Sequence, residues 1–160
     1  MNAPKKCWAP DKVRPIVKLL RVREYVYVFA ATCPMTGETY SLIMPVCNTD
    51  AMEIFLDGLS QQYQNYRNII LADQAAWHVT EKLPEYDNIR WIRLPPGSPE
   101  LNPEEHLWEH IREKYLGNRI YNSLDEMEKE LVNILQAVSA ETQTIRSLTN
   151  FSWLNAATPC

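Results

Sequence analysis

Residues 94–108, LPPGSPELNPEEHLW, place four prolines and one glycine directly before two adjacent glutamates. Proline cannot occupy the interior of a helix or of a central strand without the loss of a backbone hydrogen bond. Asn102 suits the N-cap of a helix, and Pro103 suits the first helical position. The segment therefore predicts a stiff connection that follows a strand and fixes the entry to a helix.

The rest of the chain alternates between strand-like and helix-like patterns. Apolar and β-branched residues predict a β-hairpin over 23–33 and 39–46, and short apolar runs predict buried strands over 67–73 and 88–95. Helical spacing predicts helices that begin at Asn48 or Thr49, at Asn102 and at Ser123, a short helical turn in AAWHVTEKL, and a last helical piece through TIRSL toward Trp153. This order predicts an α/β fold, in which helices cover a mixed sheet.

Composition narrows the class of protein. A chain of 160 residues fits one domain, and its net charge of −4 counts against a stand-alone DNA-binding module. No apolar run approaches the ~20 residues of a membrane span. The four cysteines form no C-x-x-C pair, so we expect reduced thiols and a cytoplasmic location.

Asp73 ends the predicted strand over 67–73, in the sequence LADQAAWH. Functional groups of α/β sheets collect at the carboxyl ends of the strands, which makes Asp73 a candidate metal ligand. An acid that caps the following turn is the alternative, and position alone favours it.

Glu104 and Glu105 also allow two interpretations. Both would interact favourably with the positive end of the helix dipole, by ~0.3–1 kcal/mol each, so capping explains them without a catalytic role. Alternatively, one of them points from the first helical turn toward Asp73. Carboxylates on separate rigid elements can hold Mg²⁺, and two such ions can promote phosphoryl transfer.

A second motif overlaps the same helix. His106 to His110 read HLWEH, which matches the H-x-x-E-H pattern of some zinc hydrolases. Histidines four residues apart share one helix face and could bind Zn²⁺. The pattern fixes only three positions, so chance matches are common. For His78, the remaining histidine, a structural role is favoured, and assistance at the site is the alternative.

Taken together, the two acidic segments resemble those of the DDE transposases. LADQAAWH is similar to the strand end that carries their second aspartate, and LPPGSPELNPEEHLW is similar to the segment that carries their third acid. CWAPDKVRP resembles the stretch that follows the first strand in mariner-related insertion-sequence transposases. The resemblance covers roughly residues 7–135.

This resemblance implies a ribonuclease H-like fold and metal-dependent DNA cleavage and strand transfer, with two Mg²⁺ or Mn²⁺ ions as cofactors and transposon ends and target DNA as partners. By position, Asp73 is the second acid and Glu105 the third, because Glu105 fills the E of N-P-x-E. Glu104 fills the variable place, so it is expected to cap the helix or face solvent.

The sequence departs from the family at two places. Gln74 stands where the family often has asparagine. More importantly, the first acid of the family lies on a strand ahead of the C-W-A-P-like segment, and only six residues precede Cys7 here. We therefore expect an N-terminally truncated transposase that lacks the first, central strand of the sheet and the upstream helix-turn-helix.

The expected organisation is an irregular lead-in over 1–22, a partial catalytic domain over 23–117 and C-terminal helices over 118–160. Such a fragment could need an upstream transposase segment or a second copy as its partner. Two alternatives stay open at this point. One is a non-catalytic remnant or a fragment completed by a partner chain, and the other is a zinc hydrolase that uses His106 and His110.

Overall fold

A computed structural model describes most of the chain, namely residues 9–12, 24–75, 82–117, 119 and 121–157, without the side chains of 155–157. Most of the predicted lead-in over 1–22 lies outside these residues. So do His78 and most of the helical turn predicted in AAWHVTEKL.

The predicted hairpin is confirmed, although both strands are shorter than expected. Strand β1 spans Tyr27–Thr32 and strand β2 spans Thr39–Met44, and the two pair antiparallel without a bulge. The Gly37 N–H donates to the Cys33 carbonyl at 2.7 Å and closes the turn. Gly37 has a φ of +78°, a conformation that glycine adopts at little cost.

Helix α1 follows the hairpin and spans Thr49–Gln62. The side chain of Asn48 caps it, because its Oδ1 accepts a hydrogen bond from the Ala51 N–H at 2.9 Å. Strands β3, Asn68–Ala72, and β4, Ile89–Arg93, then pair in parallel.

The expected single mixed sheet is not found in the described part of the chain. Strands β1 and β2 form one two-stranded sheet, and strands β3 and β4 form another. No described strand is hydrogen-bonded to both pairs. Both sheets contribute to one apolar cluster around α1, which we call the sheet core: Phe29, Ala51, Met52, Phe55, Leu56, Leu59 and Ile89.

The second half of the described chain is helical. Its elements are a 3₁₀ turn over Pro99–Leu101, helix α2 over Pro103–Ile111, a π-helical turn over Arg112–Leu116, helix α3 over Leu124–Ala140, helix α4 over Thr142–Thr149 and helix α5 over Ser152–Ala157. The helix predicted from Asn102 therefore changes to a wider turn before Gly117. Helices α2, α3 and α4 enclose the helical core: Leu107, Ile111, Ile134, Val138 and Ile145.

Residues 24–94, which carry both sheets and α1, form what we call the sheet part, and residues 99–157 form the helical part. The two parts touch at the hairpin turn. A Cβ at Gly37 would collide with the backbone of Thr142, at the start of α4, so only glycine allows this approach. Helix α3 also packs on β2. None of the helices within the described residues is long and apolar enough to cross a membrane.

Candidate active site

Asp73 lies at the carboxyl edge of the parallel β3–β4 pair, as predicted. The Leu94 N–H donates to the Ala72 carbonyl at 2.9 Å, so the pairing continues to the last residue before Asp73. The Gln74 side chain donates to the Leu94 carbonyl at 3.1 Å and ties the two chain segments together just beyond the strands. The edge that carries Asp73 is thus held on both sides.

The Asp73 side chain is exposed and also stabilises the local turn. Its Oδ1 accepts a hydrogen bond from the Ala75 N–H at 3.1 Å. The capping interpretation of this residue is therefore correct for one carboxylate oxygen. It does not exclude a ligand role, because a carboxylate has two oxygens and several lone pairs.

The proline segment places Glu105 on the first turn of α2. Gly97 has a φ of +71° and turns the chain after β4. Asn102 then caps α2, because its Oδ1 accepts from the Glu104 N–H at 3.1 Å. The Glu105 side chain is exposed and has no hydrogen-bond or ion-pair partner within the described part of the chain. Glu105 is therefore available to a ligand.

The expectation that Glu104 caps the helix or faces solvent is wrong for its side chain. Its Oε1 is buried and, among the described residues, has no hydrogen-bond partner, and the same holds for Oγ1 of Thr32 at the end of β1. Burial raises the Glu104 pKa to about 7, the Thr32 hydroxyl beside it lowers that pKa, and the charge of Glu105 raises it. The first turn of α2 thus directs one carboxyl inward and leaves the next one exposed.

The structure does not join the predicted acids into a complete metal site. The described residues contain no group of three His, Cys, Asp or Glu side chains that could hold an ion. The donor chemistry of two exposed carboxylates fits a hard divalent cation. Two carboxylates are fewer donors than such an ion usually takes from a protein.

The two histidines of the HLWEH motif contact other parts of the helical half. The ring of His106 lies edge-on against Phe151, with 5.0 Å between the ring centroids. His110 Nε2 lies 3.1 Å from Oε2 of Glu141. The zinc-hydrolase alternative therefore gains no third ligand in the described residues.

Glu141 joins three side chains that sequence patterns did not bring together. It accepts hydrogen bonds from Lys114, at 2.6 Å, and from Tyr115, in addition to its contact with His110. The hydrogen bond from Lys114, followed by that from Tyr115, lowers the Glu141 pKa to about 2. This cluster ties the π-helical turn after α2 to the junction of α3 and α4.

Comparison with known proteins decides the family. Residues 2–128 match the sequence profile of the family described as DDE superfamily endonuclease. The chain belongs to this family. The match includes both Asp73 and Glu105, together with all four described strands and α2.

A relative of this DDE superfamily endonuclease chain is the "Uncharacterized protein y4pE/y4sA" of Sinorhizobium fredii (strain NBRC 101917 / NGR234). It is 40% identical over 104 residues, which cover 64% of this chain and 77% of the relative. No solved structure matches the chain. The comparisons therefore give the family, and the roles of individual residues depend on the geometry above.

Sequence patterns missed the burial of Glu104 and the Glu141 cluster for the same reason. Both depend on partners far away in the chain, Thr32 in one case and the end of α2 in the other. The pair of adjacent glutamates after Pro103 was a visible signal. Only the approach of β1 determines which of the two faces inward.

Proposed function

We propose that this chain is the C-terminal portion of a transposase catalytic domain of the mariner-related type, which cleaves DNA and transfers the cut strand to a target. The observation that carries the proposal is the exposed Glu105 at the start of α2, which lies within the family match and has no hydrogen-bond or ion-pair partner in the described part of the chain. Asp73, at the carboxyl edge of β3, supplies the second acid of the DDE set.

In this proposal Asp73 and Glu105 hold divalent cations, Mg²⁺ or Mn²⁺. When bound, such ions activate the attacking oxygen and neutralise charge that develops at phosphorus. The chain itself contributes rigidity. Gln74 fixes the turn after Asp73 through Leu94, and the prolines and the Asn102 cap fix the direction in which α2 starts. Both carboxylates are thereby presented at low conformational cost.

The first acid and its strand are proposed to come from outside the described residues. Within those residues β1–β2 and β3–β4 are separate sheets, and each strand has one unpaired edge. Unpaired edges tend to recruit another strand. A strand that joins both pairs would create the ribonuclease H-like mixed sheet and add the third carboxylate. An upstream segment of the same transposase is the source we propose.

Nicking of supercoiled DNA in the presence of Mg²⁺ tests this function. The DNA upstream of the Met1 codon would be sequenced, and the chain would be expressed joined to any upstream strand that ends in Asp-Glu. We expect the joined protein to nick DNA, and Asp73→Asn or Glu105→Gln to reduce the rate on the order of 100-fold or more. Glu109→Gln is the matched control, because Glu109 is an exposed glutamate of the same helix.

Two results would contradict parts of the proposal. Nicking that survives both Asp73→Asn and Glu105→Gln would remove the assigned acids. Robust nicking by the chain alone, lost in both variants, would keep the acids and show that the truncation proposal is wrong.

The second candidate is a non-catalytic fragment that acts only when a partner chain completes its sheet. The separate sheets favour it as well, together with the exposure of Ile69 and Ile92 on one face of β3–β4. Size-exclusion chromatography distinguishes the cases, since open edges predict dimers or larger assemblies. A stable monomer at high concentration would count against completion by a second copy.

A further inference from the structure

Glu104 and Thr32 carry two buried polar atoms that the fold leaves without a hydrogen bond. Oε1 of Glu104, on the first turn of α2, and Oγ1 of Thr32, the last residue of β1, have no partner among the described residues. The two side chains are neighbours, since the Thr32 hydroxyl lowers the Glu104 pKa. A buried polar group without a hydrogen bond destabilises a fold, so we expect a donor beside this pair.

Other partly buried polar side chains of the sheet part do find partners. The Ser60 hydroxyl donates to Oδ1 of Asn88 at 2.7 Å, and Nδ2 of Asn88 donates to the Ser60 carbonyl at 3.0 Å. These bonds join α1 to the residue directly before β4. The missing bonds at Thr32 and Glu104 are therefore not a general feature of the sheet part.

The hairpin shows which side of β1 the pair occupies. Phe29 and Ala31 pack into the sheet core with α1. Side chains alternate along a strand, so Thr32 points to the opposite face, where Glu104 of α2 lies beside it. Along one edge β1 pairs with β2, and Thr32 lies opposite Thr39 there. The other edge of β1 is unpaired within the residues that the structure describes.

A strand added at the free edge of β1 would bring a side chain to this pair. Residues directly opposite each other on neighbouring strands point to the same face, with Cβ atoms about 4.5–5.5 Å apart. The residue opposite Thr32 on the added strand would therefore stand beside Thr32 and Glu104. An N–H or O–H group on that side chain can donate to a buried oxygen of the pair.

We propose that Glu104 and Thr32 bind a hydrogen-bond donor on a side chain of the strand that completes the sheet beside β1. The inference rests on the proposed function, in which an upstream segment of the transposase supplies that strand. Backbone pairing accepts many strands, whereas a buried acceptor rejects a strand that brings no donor to it. Glu104 and Thr32 are thus specificity residues for the partner segment.

Binding of the upstream strand to the whole chain tests the inference. The strand encoded upstream of the Met1 codon would be made as a fluorescent peptide, and its affinity would be measured by anisotropy in EDTA. We expect Glu104→Leu, which keeps the bulk and removes both oxygens, to weaken binding about tenfold, the share of one buried hydrogen bond. Thr32→Val, which replaces the hydroxyl with a methyl group, should weaken binding about fivefold.

Thr39→Val is the matched control. Thr39 is the register partner of Thr32 on β2, away from the free edge, and it is also half-buried. Its substitution should change the affinity less than about twofold. An alanine scan of the peptide then locates the donor. One alanine should weaken binding to the unmodified chain about tenfold and to Glu104→Leu much less, because both changes remove the same hydrogen bond.

The outcomes separate this inference from the proposed function. Peptide binding that Glu104→Leu and Thr32→Val leave unchanged would overturn the inference and keep the completed sheet, with water at the buried atoms instead. Self-association of the unmodified chain that Glu104→Leu abolishes would assign the pair to a second copy and overturn the upstream assignment. Failure of the peptide to bind, or absence of an upstream strand, would overturn both the inference and the proposal that an upstream segment completes the sheet.

Discussion

The helical part and the sheet part of this chain differ in how completely they bury apolar surface. In the helical core Leu107 is 1% exposed and Ile145 is fully buried. In the β3–β4 sheet Ile69 is 63% exposed and Ile92 is 50% exposed, on the face opposite to buried Ile89. A helix satisfies its backbone hydrogen bonds internally, whereas a strand needs neighbours on both edges. Within the described residues the helical part therefore buries its apolar surface more fully, and each strand leaves one edge unpaired.

The two parts nevertheless meet at defined points. Gly37 of the hairpin turn touches the start of α4, and Glu104 of α2 is buried beside Thr32 of β1. If these contacts stabilise the sheet part, substitutions at them should lower the free energy of unfolding more than substitutions at exposed positions of either part.

The largest effect is expected at Gly37. Gly37→Ala would place a Cβ against the Thr142 backbone and also force alanine to a φ of +78°. We expect a loss of about 3 kcal/mol in the free energy of unfolding, from backbone strain plus the steric clash. Gly97→Ala is the control, because Gly97 has a similar φ of +71° with no atom within 4 Å of the added Cβ.

Urea denaturation measures both variants. The control should lose about 1 kcal/mol, the cost of the backbone conformation alone. Equal losses at Gly37 and Gly97 would mean that the hairpin turn does not hold the two parts together.

A smaller effect is expected at Glu104. Its pKa is raised from 4.5 to about 7 by burial. Below pH 4.5 the carboxyl is protonated in the folded and the unfolded chain, so it costs nothing. Between pH 4.5 and 7 the carboxyl ionises in the unfolded chain but stays protonated in the folded chain, so folding becomes less favourable as the pH rises. Above pH 7 this penalty levels off at about 3 kcal/mol.

Glu104→Gln removes this penalty, since glutamine stays neutral. In metal-free buffer the variant should be about 2–3 kcal/mol more stable than the unmodified chain at pH 8, with little difference at pH 4. Glu105→Gln should stabilise the folded chain far less at pH 8, because it removes only the repulsion that Glu105 exerts on Glu104. A Glu104→Gln variant that is less stable at pH 8 would show that Glu104 is ionised and paired in the folded chain.

The smallest effect is expected within the helical part, at Glu141. Glu141→Gln should lower stability by about 1–2 kcal/mol at pH 7, because the charge-assisted hydrogen bonds weaken. The difference should disappear as the pH falls from 4.5 toward 2, since the lowered pKa stabilises the folded state only while the group is charged. Asp125→Asn is the control, because its ion pair with Lys129 is exposed and contributes about 0.3–0.5 kcal/mol. A loss at Glu141 no larger than that would show that the cluster does not stabilise the helical part.

Local sequence signals predicted most of the elements correctly. Asn102 caps its helix as expected, and Asn48, one of the two predicted candidates, caps α1, because a cap depends on neighbours within three residues. Alternation in β1 and β2 predicted the hairpin for a similar reason. The acid after β3 could be placed at a strand end from its neighbours alone.

Features that depend on distant partners could not be predicted in the same way. The inward direction of Glu104 depends on the approach of Thr32, and the low pKa of Glu141 depends on Lys114 and Tyr115. The separation of the two sheets likewise depends on which strands are present to pair. Sequence patterns predict where the strands lie, but they do not predict which strands pair.

The central proposal is that Asp73 and Glu105 hold divalent cations at one site, and paramagnetic broadening by Mn²⁺ tests it most directly. Substoichiometric Mn²⁺ would be added to isotope-labelled protein, and the amide signals followed by NMR. We expect the signals of residues 73–75 and 104–106 to weaken together, and both losses to vanish in Asp73→Asn. Broadening at only one of these segments, or broadening that survives Asp73→Asn, would contradict the claim.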